Sequence, residues 1–229
     1  LIGLLRTRSG RLVGTMGGVA LMVAFVACLG AFLQASASGM TARSIAQVPV
    51  DWQVQVLPGA DRSAIEAAIR SAAPVTRLQM VGYADVPGLE AGAGGTVQTT
   101  GAGTVVGIEP SYFTQFPTQV RRLVGSVDGV LVAQQTAANL HVAVGDQVIV
   151  HRYESPDITV KIAGIVDLPN ADAVFQAIGA PAGAAPQAPP DNVLLLPMSQ
   201  WRQAFDLQGA RPPDTIRTEV HVRLDHHDL

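Results

Sequence analysis

Cysteine is almost absent: Cys28 is the only one in 229 residues, and it sits inside an apolar run. The rest of the chain has no disulfide to staple it, so its fold must rest on a packed core. Charge is scarce too, at 14% of residues against 48% hydrophobic, with a formal net charge of −3. Basic residues do not cluster beyond the N-terminus, which excludes an electrostatic footprint for nucleic acid. No G-x-x-x-x-G-K-[ST] phosphate loop occurs, so this chain is not by itself a P-loop ATPase. G-x-S-x-G, H-E-x-x-H and C-x-x-C are missing as well. Gly92, Gly94, Gly95, Gly101 and Gly103 do not follow a strand and open a helix, as a dinucleotide loop would. No catalytic, cofactor-binding or metal-binding residue is assigned, no cofactor is expected, and the chain reads as a non-enzyme.

What is present begins with the N-terminus. No charged residue lies between Arg11 and Arg43, and the apolar run Leu12 to Leu33 is 22 residues long. As a helix it would rise roughly 33 Å, enough for a hydrocarbon core of about 30 Å. Gly14, Gly17, Gly18 and Gly30 interrupt its bulk without adding charge, as is common where spanning helices approach neighbours. Arg6, Arg8 and Arg11 precede the run and no comparable cluster follows, so the positive-inside rule puts the N-terminus in the cytoplasm. Everything after about Gln34 is then extracytoplasmic. The rival reading is a cleaved signal peptide, with Ala35-Ser36-Ala37 as a small-residue cleavage site. A signal's apolar region is usually about 7–15 residues, shorter than this one. Both readings export the remainder. Cys28 reads as a small apolar residue in the helix.

The exported region alternates strands and helices. Trp52 to Val56 has strand periodicity, and Pro58-Gly59 turns the chain. Ser63-Ala64-Ile65-Glu66 has capping-box spacing, and Ile65, Ala68, Ile69 and Ala72 form a helical stripe that Pro74 ends. Thr76 to Tyr83 reads as a strand that completes a β-α-β unit. Pro87 to Gly103 reads as a long loop or irregular hairpin, and Thr104 to Ile108 as a strand. Tyr112, Phe113 and Phe116 read as local core on a short helix. Further strands are expected at Val130 to Val132, Gln147 to His151, Ile158 to Val166 and Asn192 to Leu196. A short helix is expected over Ala133 to Leu140, and Gly145 is the turn residue expected at φ > 0. Gly179 to Pro190 reads as a mobile Ala/Pro/Gly loop. Trp201 and Phe205 share a helix face at i, i+4. Ile216, Thr218, Val220, Val222 and Leu224 alternate with polar residues, the clearest period-2 pattern in the chain.

The histidines are the remaining candidates for chemistry. His221, His226 and His227 with Asp225 and Asp228 could offer ligands, but adjacent strand residues point to opposite faces. They read as a solvated polar tail, and His141 and His151 as surface residues beside the Gly145 turn. The chain begins with Leu1 rather than Met, and its last strand ends without a closing element. It therefore reads as a piece of a longer protein.

One resemblance ties these parts together. It is carried by Val105-Val106-Gly107-Ile108-Glu109-Pro110-Ser111-Tyr112-Phe113 and Asp128-Gly129-Val130-Leu131-Val132-Ala133. Thr136 to Val148 and the strand Val160 to Val166 continue it. In order and spacing the chain resembles the MacB/FtsX-type ABC transporter permeases, with Arg121-Arg122 and Gly125 where that family often carries Gly-Arg.

The resemblance implies an α+β chain with a cytoplasmic basic flank and one N-terminal transmembrane helix (1–43) and a MacB-like extracytoplasmic core domain (44–229). Within that domain it implies a β-α-β porter-like subdomain (48–86 and 192–229) and a β-rich inserted subdomain (about 104–170). It implies a permease subunit of four spanning helices, of which this chain would hold the first. The implied partners are the lipid bilayer, a cytoplasmic ABC ATPase subunit and a second permease in a dimer, with no nucleic acid. ATP hydrolysis by the partner would drive movement outside the membrane, for export, lipoprotein extraction or mechanotransmission. Gln147 and His151 on the β-rich part are the first places to look for partner contacts. The alternative is a single-pass anchored or secreted envelope scaffold that binds without catalysis.

Overall fold

The computed structural model describes residues 9–48, 50–57, 59–93, 95–176, 178, 188–205 and 215–225. Arg6, Arg8, Pro58, most of the expected loop 179–190, and His226, His227 and Asp228 lie outside the described residues. The chain divides into two compact units, Leu1–Val48 and Pro49–Leu229, a few residues beyond the boundary expected at 43.

The first unit is a helix, α1 (Ser9–Gln47), of 39 residues. Its segment Gly14–Ser36, 23 residues and roughly 35 Å by helical rise, is long and apolar enough to cross a membrane. Phe25, Phe32, Leu21 and Met22 all stand exposed on it. Such a surface is unfavourable in water and suited to lipid. Cys28 is exposed there as well.

The second unit runs β1 (Trp52–Val56), α2 (Arg62–Ala72), β2 (Val75–Val86), β3 (Leu89–Ala93), β4 (Thr96–Thr99), β5 (Gly103–Ile108), α3 (Tyr112–Gln115) and β6 (Arg121–Gly125). It continues through β7 (Val130–Ala133), α4 (Gln134–Leu140), β8 (Gln147–Arg152), β9 (Ser155–Asp167), α5 (Ala171–Val174), β10 (Val193–Pro197), α6 (Met198–Phe205) and β11 (Ile216–Leu224). Among the described residues the strands join in one path, β1-β11-β2-β5-β10-β7-β9-β8-β3-β4, with β6 also paired to β9. The β5–β10 and β7–β9 pairs are parallel and the others antiparallel.

Apolar runs decide the central positions. Val193 to Leu196, Leu131-Val132 and Val105-Val106 are apolar at consecutive positions, so both faces of those strands must be covered. The structure splits each run between two cores. Val105, Val132, Leu194 and Leu196 pack with Ile69, Trp201 and Phe205 on one face. Val106, Leu131, Val193 and Leu195 pack with Tyr83, Tyr112 and Phe116 on the other. Trp201 lies over the register pair Gly82 and Gly107 of β2 and β5. A methyl group at Gly82 would stand 2.7 Å from the indole, so both positions need the smallest residue. The indole Nε1 donates to Val105 O at 3.0 Å, which fixes the ring in place.

Several expectations change on this scaffold. Helix α2 starts before the Ser63 box: Asp61 caps it by accepting from Ser63 N at 2.9 Å, and Glu66 instead pairs with Arg62 at 2.9 Å. Aspartate already supplies the cap acceptor, so serine does not need to. The segment 87–103 is a regular hairpin, β3–β4, docked on β8. β5, expected within the β-rich insertion, lies between β2 and β10, because its doubly buried run fits only a central place. β9 bridges two parts of the path: Ser155 to Lys161 pairs with β8, and Ile162 to Asp167 with β7 and β6.

The turn at Gly145 does hold a positive φ, at 102°. His141 closes α4 in the left-handed conformation at φ 54°.

Candidate functional site

The sheet face that carries Tyr83 also carries a polar stripe. In β11 the polar members of the alternation are Arg217, Glu219 and His221, opposite Tyr83, Val81 and Gln79 of β2. The period-2 pattern suggests a half-buried strand with these side chains in water. The structure instead buries them: Glu219 is 1% exposed and His221 is fully enclosed. The reason is the second core, where Tyr112 and Phe116 of the α3 segment and Phe175 after α5 cover this face. His221 is thus an interior residue, not part of a solvated tail.

Burial forces each polar group to find a partner. Tyr83 Oη donates to Val174 O at 2.9 Å and lies 3.1 Å from His221 Nε2. Its only proton is committed to the carbonyl, so it accepts from Nε2. His221 Nδ1 then accepts from Tyr112 Oη at 2.9 Å. The tautomer with its proton on Nε2 satisfies all three groups in one directed chain. Aromatic packing holds the imidazole further, with Tyr112 and Phe116 stacked at 4.9 Å between centroids. Burial pushes the Tyr83 hydroxyl well above the ordinary tyrosine range, and the negative charge of Glu219 adds to the shift. Tyr112 shifts upward for the same two reasons in the same order.

Glu219 joins this chain to a charged group at the sheet's edge. Its Oε1 accepts from Arg217 Nε at 2.9 Å. The Arg217 guanidinium lies 4.4 Å from the Tyr83 ring centroid, a cation–π contact, and 3.9 Å from Asp85 Oδ2. Asp85 Oδ1 accepts from Thr104 Oγ1 at 2.9 Å. Glu219 Oε2 is buried without a hydrogen-bond partner, and His221 Nε2 stands 3.8 Å away.

The two residues expected at partner contacts lie elsewhere. Gln147 and His151 share the outer face of β8, opposite the buried Val148 and Val150. His151 sits between two carboxylates, with Nδ1 2.9 Å from Asp157 Oδ2 and Nε2 3.5 Å from Glu90 Oε2. Among the described residues no group of three His, Cys, Asp or Glu side chains could hold a metal ion. Sequence reasoning missed Arg217 and Glu219. In the structure Gln53 and Gln55 of β1 fall opposite His221 and Glu219, so one polar stripe extends over adjacent strands, a pairing that local sequence pattern does not show.

These features define a class: a mixed-sheet α+β domain, buried on both faces, in a chain whose N-terminal helix is long enough to span a membrane. The chain belongs to the family of MacB-like periplasmic core domains, which it matches over residues 12–228. That family is one of ABC transporter permease components. Similar solved structures include a domain assigned to a permease protein of Porphyromonas gingivalis, at TM-score 0.40 and 18% identity over 69% of this chain and 60% of that one. Another is the periplasmic region of MacB from Actinobacillus actinomycetemcomitans, at TM-score 0.44 and 12% identity over 76% of this chain and 67% of that one. The chain therefore spans 60% of the first of these structures. No curated protein matches it.

Proposed function

We propose that the chain is the first helix and ectodomain of an ABC transporter permease subunit. It would couple ATP hydrolysis by a cytoplasmic ATPase partner to movement outside the membrane, with no chemistry of its own. The observation that carries this reading is the family match over residues 12–228, which joins most of the apolar helix to the sheet domain. The physical design supports it. A strand network closed by two cores moves as a rigid body, because close-packed interiors deform little.

The N-terminus lies in the cytoplasm in this reading, on the strength of Arg6, Arg8 and Arg11 before the apolar run. Two permeases pair in the membrane. The porter-like part is the 48–86 and 192–229 segments, and the β-rich part is about 104–170. Gln147 and His151 are proposed partner contacts.

The test uses the full-length permease with its ATPase in lipid nanodiscs. Gln147→Cys carries a spin label, with Cys28→Ala to remove the native thiol. The expected result is an inter-protomer distance that changes when ATP and vanadate trap the ATPase. An unchanged distance in an assembly that hydrolyses ATP would overturn the coupling. A permease that forms no complex with the ATPase would overturn the partnership.

A further inference from the structure

The chain enters the sheet domain through a short link: residues 48–51 separate the end of α1 from the start of β1. Val50 in that link packs against the second core. Asp51, the last residue of the link, is bound to β11 by backbone and side chain together. Its N–H donates to Val222 O at 2.9 Å. Its Oδ2 accepts from Leu224 N at 2.8 Å and lies 3.7 Å from Arg223 Nε. We propose that Asp51 is the clasp through which movement of the apolar helix reaches the sheet. This rests on the transport reading and assigns it a positioning residue.

The strand that follows needs such a clasp. β1 is five residues long and ends the strand path, paired to β11. Short elements fray from their ends at little cost. A pull on the link would therefore peel β1 from Trp52 onward before it moved the rest of the sheet. Fixing Asp51 to β11 takes the pull past β1, into a strand that pairs with β2 along nine positions. The Asp51 and Arg223 side chains are 11% and 19% exposed, so salt screens this pair less than an exposed one.

The ladder supplies a second, independent pointer. The register of β11 against β2 shifts between Arg223 and Leu224. A shift of this kind disrupts the ladder locally, and Leu224 N is the donor that the Asp51 carboxylate takes. A carboxylate makes a stronger bond to a backbone N–H than a carbonyl does. The same register sets Arg223 opposite Arg77. Like charges directly opposite are destabilising. Asp51 balances the first of them, and Arg77 Nη1 donates to Gln115 O at 2.5 Å, at the end of α3. The entry residue thus meets the sheet where β11, β2 and α3 come together.

The test uses the full-length permease with its ATPase in lipid nanodiscs, spin-labelled at Gln147→Cys in the Cys28→Ala background. Asp51→Ala removes both side-chain contacts. Asp51→Asn keeps an acceptor for Leu224 N and loses the charge beside Arg223. Thr76→Val is the control: it removes a neighbouring bond, from Thr76 Oγ1 to Arg223 O at 3.0 Å, and leaves the entry untouched. Trp201 fluorescence reports whether each variant is folded. The wild type and Thr76→Val are expected to show the change in distance driven by ATP and vanadate. Asp51→Ala loses that change while ATP hydrolysis continues, and Asp51→Asn shows a smaller one. Amide exchange at Leu224 rises about tenfold or more in Asp51→Ala, since hydrogen bonds to charged groups are the strong ones. If Asp51→Ala fails to fold, Asp51→Asn decides, and a change as large as the wild type's overturns the clasp. No change in the wild type overturns the transport reading and the clasp with it. A wild-type change that Asp51→Ala retains, or that Thr76→Val loses equally, overturns the clasp alone.

Discussion

Alkaline pH singles out the buried tyrosines. Tyr83 and Tyr112 are enclosed in the second core, and both hydroxyls titrate above the ordinary tyrosine value in the folded state. In the unfolded chain each ionises near pH 10. Above that pH the unfolded state holds fewer protons than the folded one, so stability falls as pH rises. Each group contributes about 1.4 kcal/mol per pH unit, and the two together about 2.7 kcal/mol per unit. Over one and a half units this reaches about 4 kcal/mol, a large part of a typical domain's 5–15 kcal/mol. The composition keeps this window simple: Lys161 is the only lysine, and arginine stays protonated throughout. The assay is urea unfolding of the nanodisc-held chain from pH 9 to 11.5, followed by the fluorescence of the buried Trp201. Tyr112→Phe lowers stability at neutral pH, because His221 Nδ1 loses its donor, but it halves the alkaline slope to about 1.4 kcal/mol per unit. Absorbance from the two tyrosinates appears only together with unfolding. In a Tyr153→Phe background, which removes the exposed third tyrosine, a slope that Tyr112→Phe leaves unchanged, or tyrosinate absorbance that precedes unfolding, would refute the buried arrangement.

Three further outcomes follow from the packing. Gly107→Ala forces a methyl group into the Trp201 ring and costs about 1–3 kcal/mol, read as a lower urea midpoint with unchanged slope. Gln119 is fully buried with neither side-chain polar atom partnered. Gln119→Met should therefore stabilise the fold by about 1 kcal/mol, and a lowered midpoint would contradict this. Asp61 is held below the usual carboxylate range by the Ser63 hydroxyl first and the backbone N–H groups of Ser63 and Ala64 next. Its folded pKa is depressed, so the cap's stabilisation is present above the unfolded value and is lost as pH falls through the folded one. Asp61→Ala should speed amide exchange in the first turn of α2 at neutral pH and have no effect in strong acid. An equal effect at both pH values would count against the cap.

Much of this fold was legible because its strands announce themselves. Val54 and Val56 alternate with glutamines, and Val193 to Leu196 is apolar at every position, so the first reads as a strand with one face buried and the second as a wholly apolar strand. The helical stripe at Ile65 and Ile69 and the i, i+4 pair Trp201 and Phe205 also face the core as their spacing requires. Local pattern could not reveal which strand neighbours which. The placement of β5 between β2 and β10 depends on contacts between residues about 90 positions apart, such as Val105 with Leu194. The same limit hid the interior site. A polar residue in an alternating strand looks solvent-facing until something covers it, and the cover over His221 comes from Tyr112 on a separate four-residue helix and Phe116 just after it. That arrangement also explains why the residues there are polar at all. One core of the sheet is filled by apolar residues, Trp201 and Phe205 among them, while the other carries a directed chain from Tyr112 through His221 and Tyr83 to Val174, beside the Glu219–Arg217 pair. A polar chain in a core contributes little net stability compared with well-packed apolar residues. It does fix geometry, because each donor has one acceptor and the strands cannot slip without breaking several bonds together. In the proposed reading as a lever, that constraint matters more than stability. A domain that passes motion must keep β11, β2 and the α3 segment in one register while it moves, and the buried chain from Tyr112 to Val174 links all three.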